Sequence, residues 1–541
     1  MKLISVETMR EVERQADLAG ISYAEMMQRA GQGLARLVEF TYGSVVEKKV
    51  LGLVGPGNNG GDVLVALVAL AEAGWETTAY LTKKRAKSDE LMQAVSKAGC
   101  QVILMVEDEG LQQLDACIGE SNVLLDGLLG TGFELPLKPD LAEFIRHIRG
   151  KSTLPHIVAV DCPSAVNCDT GETADEVLAA EITVCMAAVK KGLLQFPAYR
   201  YVGRLEVVEL GFPVELPVWK DVQDEVMTEE QAAQLLPVRA MDGHKGSFGT
   251  TVLVVGSVTY TGAALLAGRA ALHSGVGLVK MAVPGSLHTT LAGHLPEATW
   301  VLLPHEMGVM AAGAVDVLIK ELNRAGSLLL GCGWGREETT LEFLRHLLTD
   351  KTARVNRTAI GFVGAAREEI RRDDTKLPPL IIDADGLRLL AKIDEWKNHL
   401  SKGMILTPHL GELAELAGMT IDEIQADRIE ITRRLAMEWE VVLVLKGALT
   451  VISDANGKVR VIPVATSALA HGGTGDVLAG LLAGLVAQGL QPFEAASLGC
   501  WIHAQAGLVA EEWAGHPAAV TAGEVVDAIG EVFQQLAADQ S

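Results

Sequence analysis

Four aspartates of this 541-residue chain stand where a carboxylate does chemistry: Asp62, Asp126, Asp161 and Asp476. Asp62 closes "GPGNNGGD", a turn whose Gly55, Gly57 and Gly60 loosely satisfy the G-x-G-x-x-G pattern of a dinucleotide cradle. A hydride-transfer domain would end its second strand on an acid that holds the ribose. Here that run ends "AYLTKKRAK". Lys83, Lys84 and Arg85 either receive a 2′-phosphate or form a solvated basic loop. "NNGGD" carries more than the cradle needs. Asn58 and Asn59 bring amides, Gly60 and Gly61 drop the Cβ so that a ligand can reach backbone N–H groups, and Asp62 brings a carboxylate. Asp62 either caps the helix or faces hydroxyls, an amide or a cation. "LLDGLLGTGFELP" and "IVAVDCPSAVNCDTG" set Asp126, Asp161 and Ser164 just past two strand ends. Asn59, Asp126 and Ser164 offer hard oxygens, which suit an alkali or alkaline-earth cation rather than zinc.

The second half carries a different constellation. In "HGGTGDVLAG", Gly472, Gly473 and Gly475 expose N–H groups where a helix begins, a site for an anion or a developing phosphoryl charge. Asp476 either caps that helix or takes a proton from a hydroxyl as a phosphoryl group arrives. "LTPHLGELAEL" puts His409 past a strand, "LVLKGALTVI" puts Lys446 between two strands, and "IIDADGL" puts Asp383 and Asp385 at a strand end as metal or hydroxyl partners. "YTGAALLAGRAAL" starts a helix at Gly262 and Ala263. Walker A and H-E-x-x-H patterns are absent from the sequence, so P-loop and zincin chemistry lack support.

These residues need a frame. "KVLGLVG", "ETTAYLT", "QVILMV", "NVLLDGL", "HIVAVDCP", "EITVCMAA" and "RLEVVELG" are continuous apolar runs alternating with helical ones. Continuous rather than alternating runs mean strands buried on both faces, a doubly wound parallel sheet. "FPVELPVWKDVQDEVMT" has prolines, charges and no period, and reads as a linker. A second series runs from "TTVLVVGS" to "VRVIPV", interrupted from Asp350 by a polar excursion. The expected division is a domain over 1–214, a linker over 215–226 and a domain over 227–541, in the α/β class. With 4% aromatics, the cores are built from small aliphatics. A net charge of −23 argues against a nucleic-acid or anionic-membrane footprint. Seven cysteines without C-x-x-C, Cys162 and Cys168 among them, read as buried hydrophobes in a reducing compartment. No signal peptide or spanning run is seen, so the expected location is the cytoplasm. The expected assembly is a homo-oligomer.

In order, "GPGNNGGD", "DGLLGTG" and "DCPSAVNCDTG" resemble the epimerase domain of the bifunctional NAD(P)H-hydrate repair enzymes. "HKGSFG", "YTGAALLAGRAAL", "DADGL", "TPHLGE", "KGALT" and "GGTGDVLAG" resemble their dehydratase domain. The resemblance implies a Rossmann-like first domain and a ribokinase-like second one. It implies interconversion of the R and S hydrates of NADH and NADPH, then dehydration of the S form at the expense of ADP or ATP with magnesium. Carried over residue by residue, it puts potassium on Asn59, Asp126 and Ser164. It puts substrate on Asn58, Asn59, Gly60, Gly61, Asp62, Gly130, Thr131, Gly132, Phe133, Glu134, Leu135 and Pro136, with Asp161 as acid/base. In the second domain Ala263, Gly333, His409 and Asp476 meet the hydrate, Asp476 as base. Lys446, Gly447, Ala448, Leu449, Thr450 and Gly475 hold the nucleotide. The chain departs from the family's common residues at Val63 and Ala165 (Gly), Asn167 (Asp) and Cys332 (Pro). Two alternatives stay open: an NADP-dependent oxidoreductase fused to a small-molecule kinase, and a dehydratase carrying a silent N-terminal binding module.

Overall fold

The computed structural model describes residues 1–86, 88–349 and 377–538, with the backbone of two further strands, Thr352–Val355 and Glu368–Arg371. These two pair antiparallel; the rest of the excursion from Asp350, as far as residue 376, lies outside the described residues. The chain divides into two compact units, Met1–Val226 and Met227–Ser541.

The first unit is built on seven strands: β1 (Lys49–Val54), β2 (Glu76–Leu81), β3 (Gln101–Leu104), β4 (Val123–Gly127), β5 (His156–Val160), β6 (Ile182–Met186) and β7 (Arg204–Val208). They pair in parallel, in the order β3-β2-β1-β4-β5-β6-β7. The continuous apolar runs have the expected cause. In β1, Val50 and Val54 pack into one core and Leu51 and Leu53 into another; in β4, Val123 and Leu125 part from Leu124 in the same way. Each face is covered, one by helices that include Tyr23–Tyr42 and Asn58–Glu72, the other by one that includes Pro139–Arg149. The strand order reverses between β1 and β4, where the loops at their carboxyl ends splay to leave a crevice.

The stretch expected as a linker is folded against this unit. Pro217–Asp221 is a short helix, and Phe212, Val218, Trp219 and Val222 pack on its core. Lys2 Nζ donates to the Trp219 and Val222 carbonyls at 2.8 and 2.7 Å. A side chain two residues from the N-terminus thus satisfies an irregular backbone, which periodicity cannot register.

The second unit has β8 (Thr250–Val254), β9 (Leu278–Pro284), β10 (Thr299–Leu303), β11 (Ser327–Leu330), β12 (Leu380–Ile382), β13 (Ile405–Leu406), β14 (Val442–Leu445), β15 (Val451–Ser453) and β16 (Val459–Val461). Their order is β16-β15-β14-β13-β12-β11-β8-β9-β10, parallel except where β15 meets β14 and β16. Helix Thr474–Ala487 is apolar around nearly its whole circumference and is buried accordingly. Gly480 permits its contact with helix Thr261–His273, since a Cβ there would lie 2.1 Å from the Ala267 carbonyl oxygen. Among the described residues no helix is long and apolar enough to cross a membrane.

Two candidate active sites

A cavity of about 1180 Å³ opens at the strand-order reversal of the first unit. Asn58, Asn59, Asp62, Gly130, Thr131, Gly132, Phe133 and Asp161 line it, together with Glu13 and Lys190. Glu134, Leu135 and Pro136 lie outside the lining, and so do Gly60 and Gly61. The missing Cβ atoms of these two glycines serve packing: one on Gly60 would sit 2.1 Å from the Gly55 carbonyl oxygen, and one on Gly61 2.7 Å from the Met27 sulfur. Asp62 does not cap the helix, because Gly57 holds the N-cap position and Asp62 is the fifth helical residue. Its carboxyl therefore projects into the cavity. Burial first, then the neighbouring Asp161 and Glu13 charges, raise its pKa well above the usual carboxylate range.

Asp161 follows β5 with φ +65°, a left-handed conformation that turns its side chain back over the sheet. Its Oδ1 accepts the Met186 N–H at 3.0 Å and an ion-paired hydrogen bond from Lys190 Nζ. Lys190 is 1% exposed. Burial opposes its charge, but the Asp161 carboxylate outweighs it and the lysine pKa is raised. Sequence reading missed Lys190 and Glu13. The signal for Lys190 was a lysine four residues beyond a fully buried strand; Glu13 offered none beyond its place on an amphipathic helix.

Asn59, Asp126 and Ser164 meet beneath this cavity. Asp126 is fully buried and lies within β4, one residue before its end rather than past it. It accepts the Ser164 Oγ–H at 2.5 Å and the Ser164 N–H at 2.9 Å, while Ser164 Oγ accepts the Leu129 N–H at 3.0 Å. The Leu129 and Val160 carbonyls converge on the Asn59 amide at 2.8 and 2.5 Å. No lysine or arginine pairs with Asp126 among the described residues, and burial raises its pKa.

The departures at Val63, Ala165 and Asn167 have local accommodation. Val63 fills the space over Gly52 and Gly127, where a Cβ would lie 2.6 and 2.3 Å from its methyls. Ala165 holds φ +73°, a strain of about 1 kcal/mol that glycine would relieve. The Asn167 side-chain oxygen accepts the Asp169 and Thr170 N–H groups at 2.9 and 3.0 Å, as an aspartate would. Lys84 and Arg85 line a separate cavity of about 610 Å³, and Arg85 pairs with Asp89 at 2.8 Å. Buried Cys162 and Cys168 touch each other, which with burial pushes the Cys162 thiol up.

The second site gathers at the carboxyl ends of β11 to β14. Asp383 is 1% exposed. Its Oδ1 accepts Lys446 Nζ at 2.5 Å and Thr407 Oγ1 at 2.8 Å. Lys446 also lies 3.8 Å from Glu412, whose carboxylate accepts the His409 N–H at 2.9 Å in a reciprocal cap of helix Leu410–Ala417. Burial opposes the Lys446 charge, but Asp383 and Glu412 prevail and raise its pKa. Burial lowers His409, with Lys446 and Arg388 adding to the effect.

Gly473, at φ +95°, is the N-cap of helix Thr474–Ala487 and makes no side-chain cap, so N–H groups of the first turn stay open. Asp476 is the third helical residue. Burial, with the Asp383 charge second, lifts its pKa to about 6. A Cβ on Gly475 would lie 3.6 Å from Lys446 Nζ, so the glycine turn, the lysine and both aspartates share one place. Gly333 and Ala263 adjoin as well: a Cβ on the glycine would lie 2.6 Å from the alanine methyl. Cys332 Sγ is 3.9 Å from Asp383 Oδ2 and stands among the carboxylates; burial holds it as a thiol. Asp385 is turned aside, accepting the Gly335 N–H at 3.0 Å.

His503, missed in sequence, anchors the turn from below: its buried ring bonds the Thr474 carbonyl at 2.8 Å through Nε2. Burial lowers its pKa to about 4, against an ordinary 6.5. The folded state therefore binds this proton less readily than the unfolded chain, and stability falls as pH drops from 6.5 toward 4. The loss attributable to His503 approaches about 3 kcal/mol. Urea unfolding of the second unit at both ends of this window should show His503→Gln losing less stability than the wild type. Equal pH slopes would remove His503 as the cause.

Residues 251–530 match the family described as NAD(P)H-hydrate dehydratase, and residues 23–192 the YjeF-related protein N-terminus. The bifunctional NAD(P)H-hydrate repair enzyme of Moorella thermoacetica is 33% identical over 99% of this chain and 97% of its own length. This chain belongs to the bifunctional NAD(P)H-hydrate repair enzyme family. The relative from Escherichia coli strain K12 is 30% identical, over 92% of this chain and 88% of its own. A solved Bacillus subtilis ADP/ATP-dependent NAD(P)H-hydrate dehydratase, co-crystallized with ATP/Mg2+, is 28% identical over 58% of this chain and 98% of its own, with a TM-score of 0.46. Membership in this family sets aside the oxidoreductase–kinase alternative.

Proposed function

We propose that this chain repairs hydrated NADH and NADPH, with epimerisation assigned to residues 1–214 and nucleotide-dependent dehydration to residues 227–541. The observation that carries the reading is full-length likeness to bifunctional repair enzymes in a chain with two separate acid-bearing sites. In the first unit the hydrate's ring hydroxyl sits on a carbon bonded to the ring nitrogen. The Asp62 carboxyl, whose pKa burial raises, gives a proton to that hydroxyl, the nitrogen lone pair expels water, and water re-adds on the other ring face. Asp161, held by Lys190, takes the proton that the incoming water loses.

The oxygens around Asp126 suit a hard cation that offsets its unpaired buried charge. With the Asn59 amide turned over, its oxygen would join Asp126, Ser164 and the Leu129 and Val160 carbonyls as the groups that hold potassium. Val63, Ala165 and Asn167 lie off the cavity lining, which favours a working first unit over a silent one.

In the second unit Asp476 takes the proton of the hydrate's hydroxyl as the terminal phosphoryl group of ADP or ATP arrives. The N–H groups at Gly473 to Gly475 receive the developing charge. The nitrogen lone pair then expels phosphate from the same carbon, and loss of the proton on the neighbouring carbon restores the dihydronicotinamide. Magnesium asks a protein for one or two carboxylates and otherwise rides on the phosphates. Asp383 Oδ2, free of Lys446 and Thr407, is the oxygen that would serve it.

The test supplies mixed R and S hydrates, magnesium, potassium and either ADP or ATP, and follows the near-ultraviolet absorbance of reduced nicotinamide. Full recovery faster than spontaneous epimerisation, with one nucleotide, is expected and names the phosphate donor. Replacing potassium by choline should slow the R fraction alone. Recovery halting at the S fraction in potassium would establish the silent-module alternative, and no recovery with either nucleotide would refute the reading.

A further inference from the structure

Arg428 opens helix Arg428–Trp439 and lies against the turn that follows β14. Its Nη1 donates to the Ala448 carbonyl at 2.8 Å. A Cβ on Gly447 would stand 3.4 Å from its Nη2, so the guanidinium backs directly onto that glycine. Its remaining donors, Nε and Nη2, are buried without a hydrogen-bond partner. Among the described residues no carboxylate offsets its charge, and burial alone displaces its pKa, downward. The neighbouring cation in this turn is treated differently: Lys446 has both Asp383 and Glu412.

A guanidinium stays charged, and a buried charge without a partner is strongly unfavourable. Nε and Nη2 are also the side-on pair of a guanidinium, spaced to receive two oxygens of one phosphate or carboxylate. The turn between this fork and Lys446 is bare backbone at Gly447, whose φ of +136° is open to glycine and little else. We propose that Arg428 is a phosphate-binding residue: Nε and Nη2 take two oxygens of the adenine nucleotide's phosphates as the Gly447 peptide yields, while Nη1 holds the turn through Ala448. This rests on reading the second unit as a nucleotide-dependent dehydratase.

Calorimetric titration of ADP, ATP and adenosine into the full-length wild type, Arg428→Gln and Arg428→Lys tests it. Arg428→Gln should bind ADP at least about tenfold more weakly and adenosine within about twofold of wild type. Arg428→Lys, which keeps charge but loses the fork, should fall between, with the nucleotide KM raised and kcat little changed. Unaltered ADP affinity in Arg428→Gln overturns the proposal and leaves the dehydratase reading standing. Equal losses for ADP and adenosine, or failure of both variants to unfold cooperatively, make Arg428 a support of the turn and also overturn it. A wild type that binds neither ADP nor ATP removes the nucleotide reading itself, and the proposal with it.

Discussion

Replacing Asp476 by asparagine should reduce dehydration about 10²- to 10⁴-fold, the range for loss of a positioned general base, while making the second unit more stable. Both effects follow from one arrangement. The carboxyl is pushed to about 6 by burial first and the Asp383 charge second. Between the unfolded value of 3.8 and this folded value, the folded state binds the proton more tightly. Above pH 6 the ionised group therefore opposes folding, by about 1–3 kcal/mol. Asparagine keeps the shape and removes the charge, so the urea midpoint should rise at neutral pH. The same displacement predicts that wild-type dehydration declines as pH falls through about 6. Single-turnover rates with S hydrate and saturating nucleotide, beside unfolding curves, measure both. Turnover within tenfold of wild type would end the assignment of Asp476 as base. Lost activity with an unchanged midpoint would mean that its charge is compensated when folded.

How much of this was legible in sequence depended on whether the physics was local. Glycine-rich turns directly after apolar runs are local, and strands were found where a run buried both faces, as at "KVLGLVG". Asp476 was readable because the glycines that open the helix stand beside it in the chain. Asp62 could not be told from a helix cap in sequence, because capping chemistry belongs to the helix start and Gly57 gives no side-chain signal of where that is. Gly60 and Gly61 were read as room for a ligand, yet what fills the room is Gly55 and Met27, and proximity of that kind is a property of packing. The Lys446–Asp383 pair joins residues 63 apart, and His503 reaches Thr474 across 29. Neither is visible until the sheet brings strand ends together. Lys190 illustrates the same limit, since a lysine after an apolar run ordinarily marks a strand leaving the core.

Lys190 also carries the second large effect. Lys190→Met should abolish epimerisation and destabilise the first unit by about 3–5 kcal/mol, the scale for breaking one side of a buried ion pair. Its removal takes the paired ammonium from Asp161, which with Glu13 already raises the Asp62 pKa. The discriminating measurement is the double variant Asp161→Asn, Lys190→Met. Removing both charges takes away the uncompensated carboxylate, and methionine fills much of the lysine's volume. The double variant should therefore recover most of the stability lost in Lys190→Met and remain inactive. Unfolding midpoints of the single and double variants give the coupling directly. Additive losses would mean that the lysine contributes packing rather than charge. A Lys190→Met protein that still interconverts the hydrates at near wild-type rate would detach the ion pair from catalysis and leave Asp161 without the group that holds it in place.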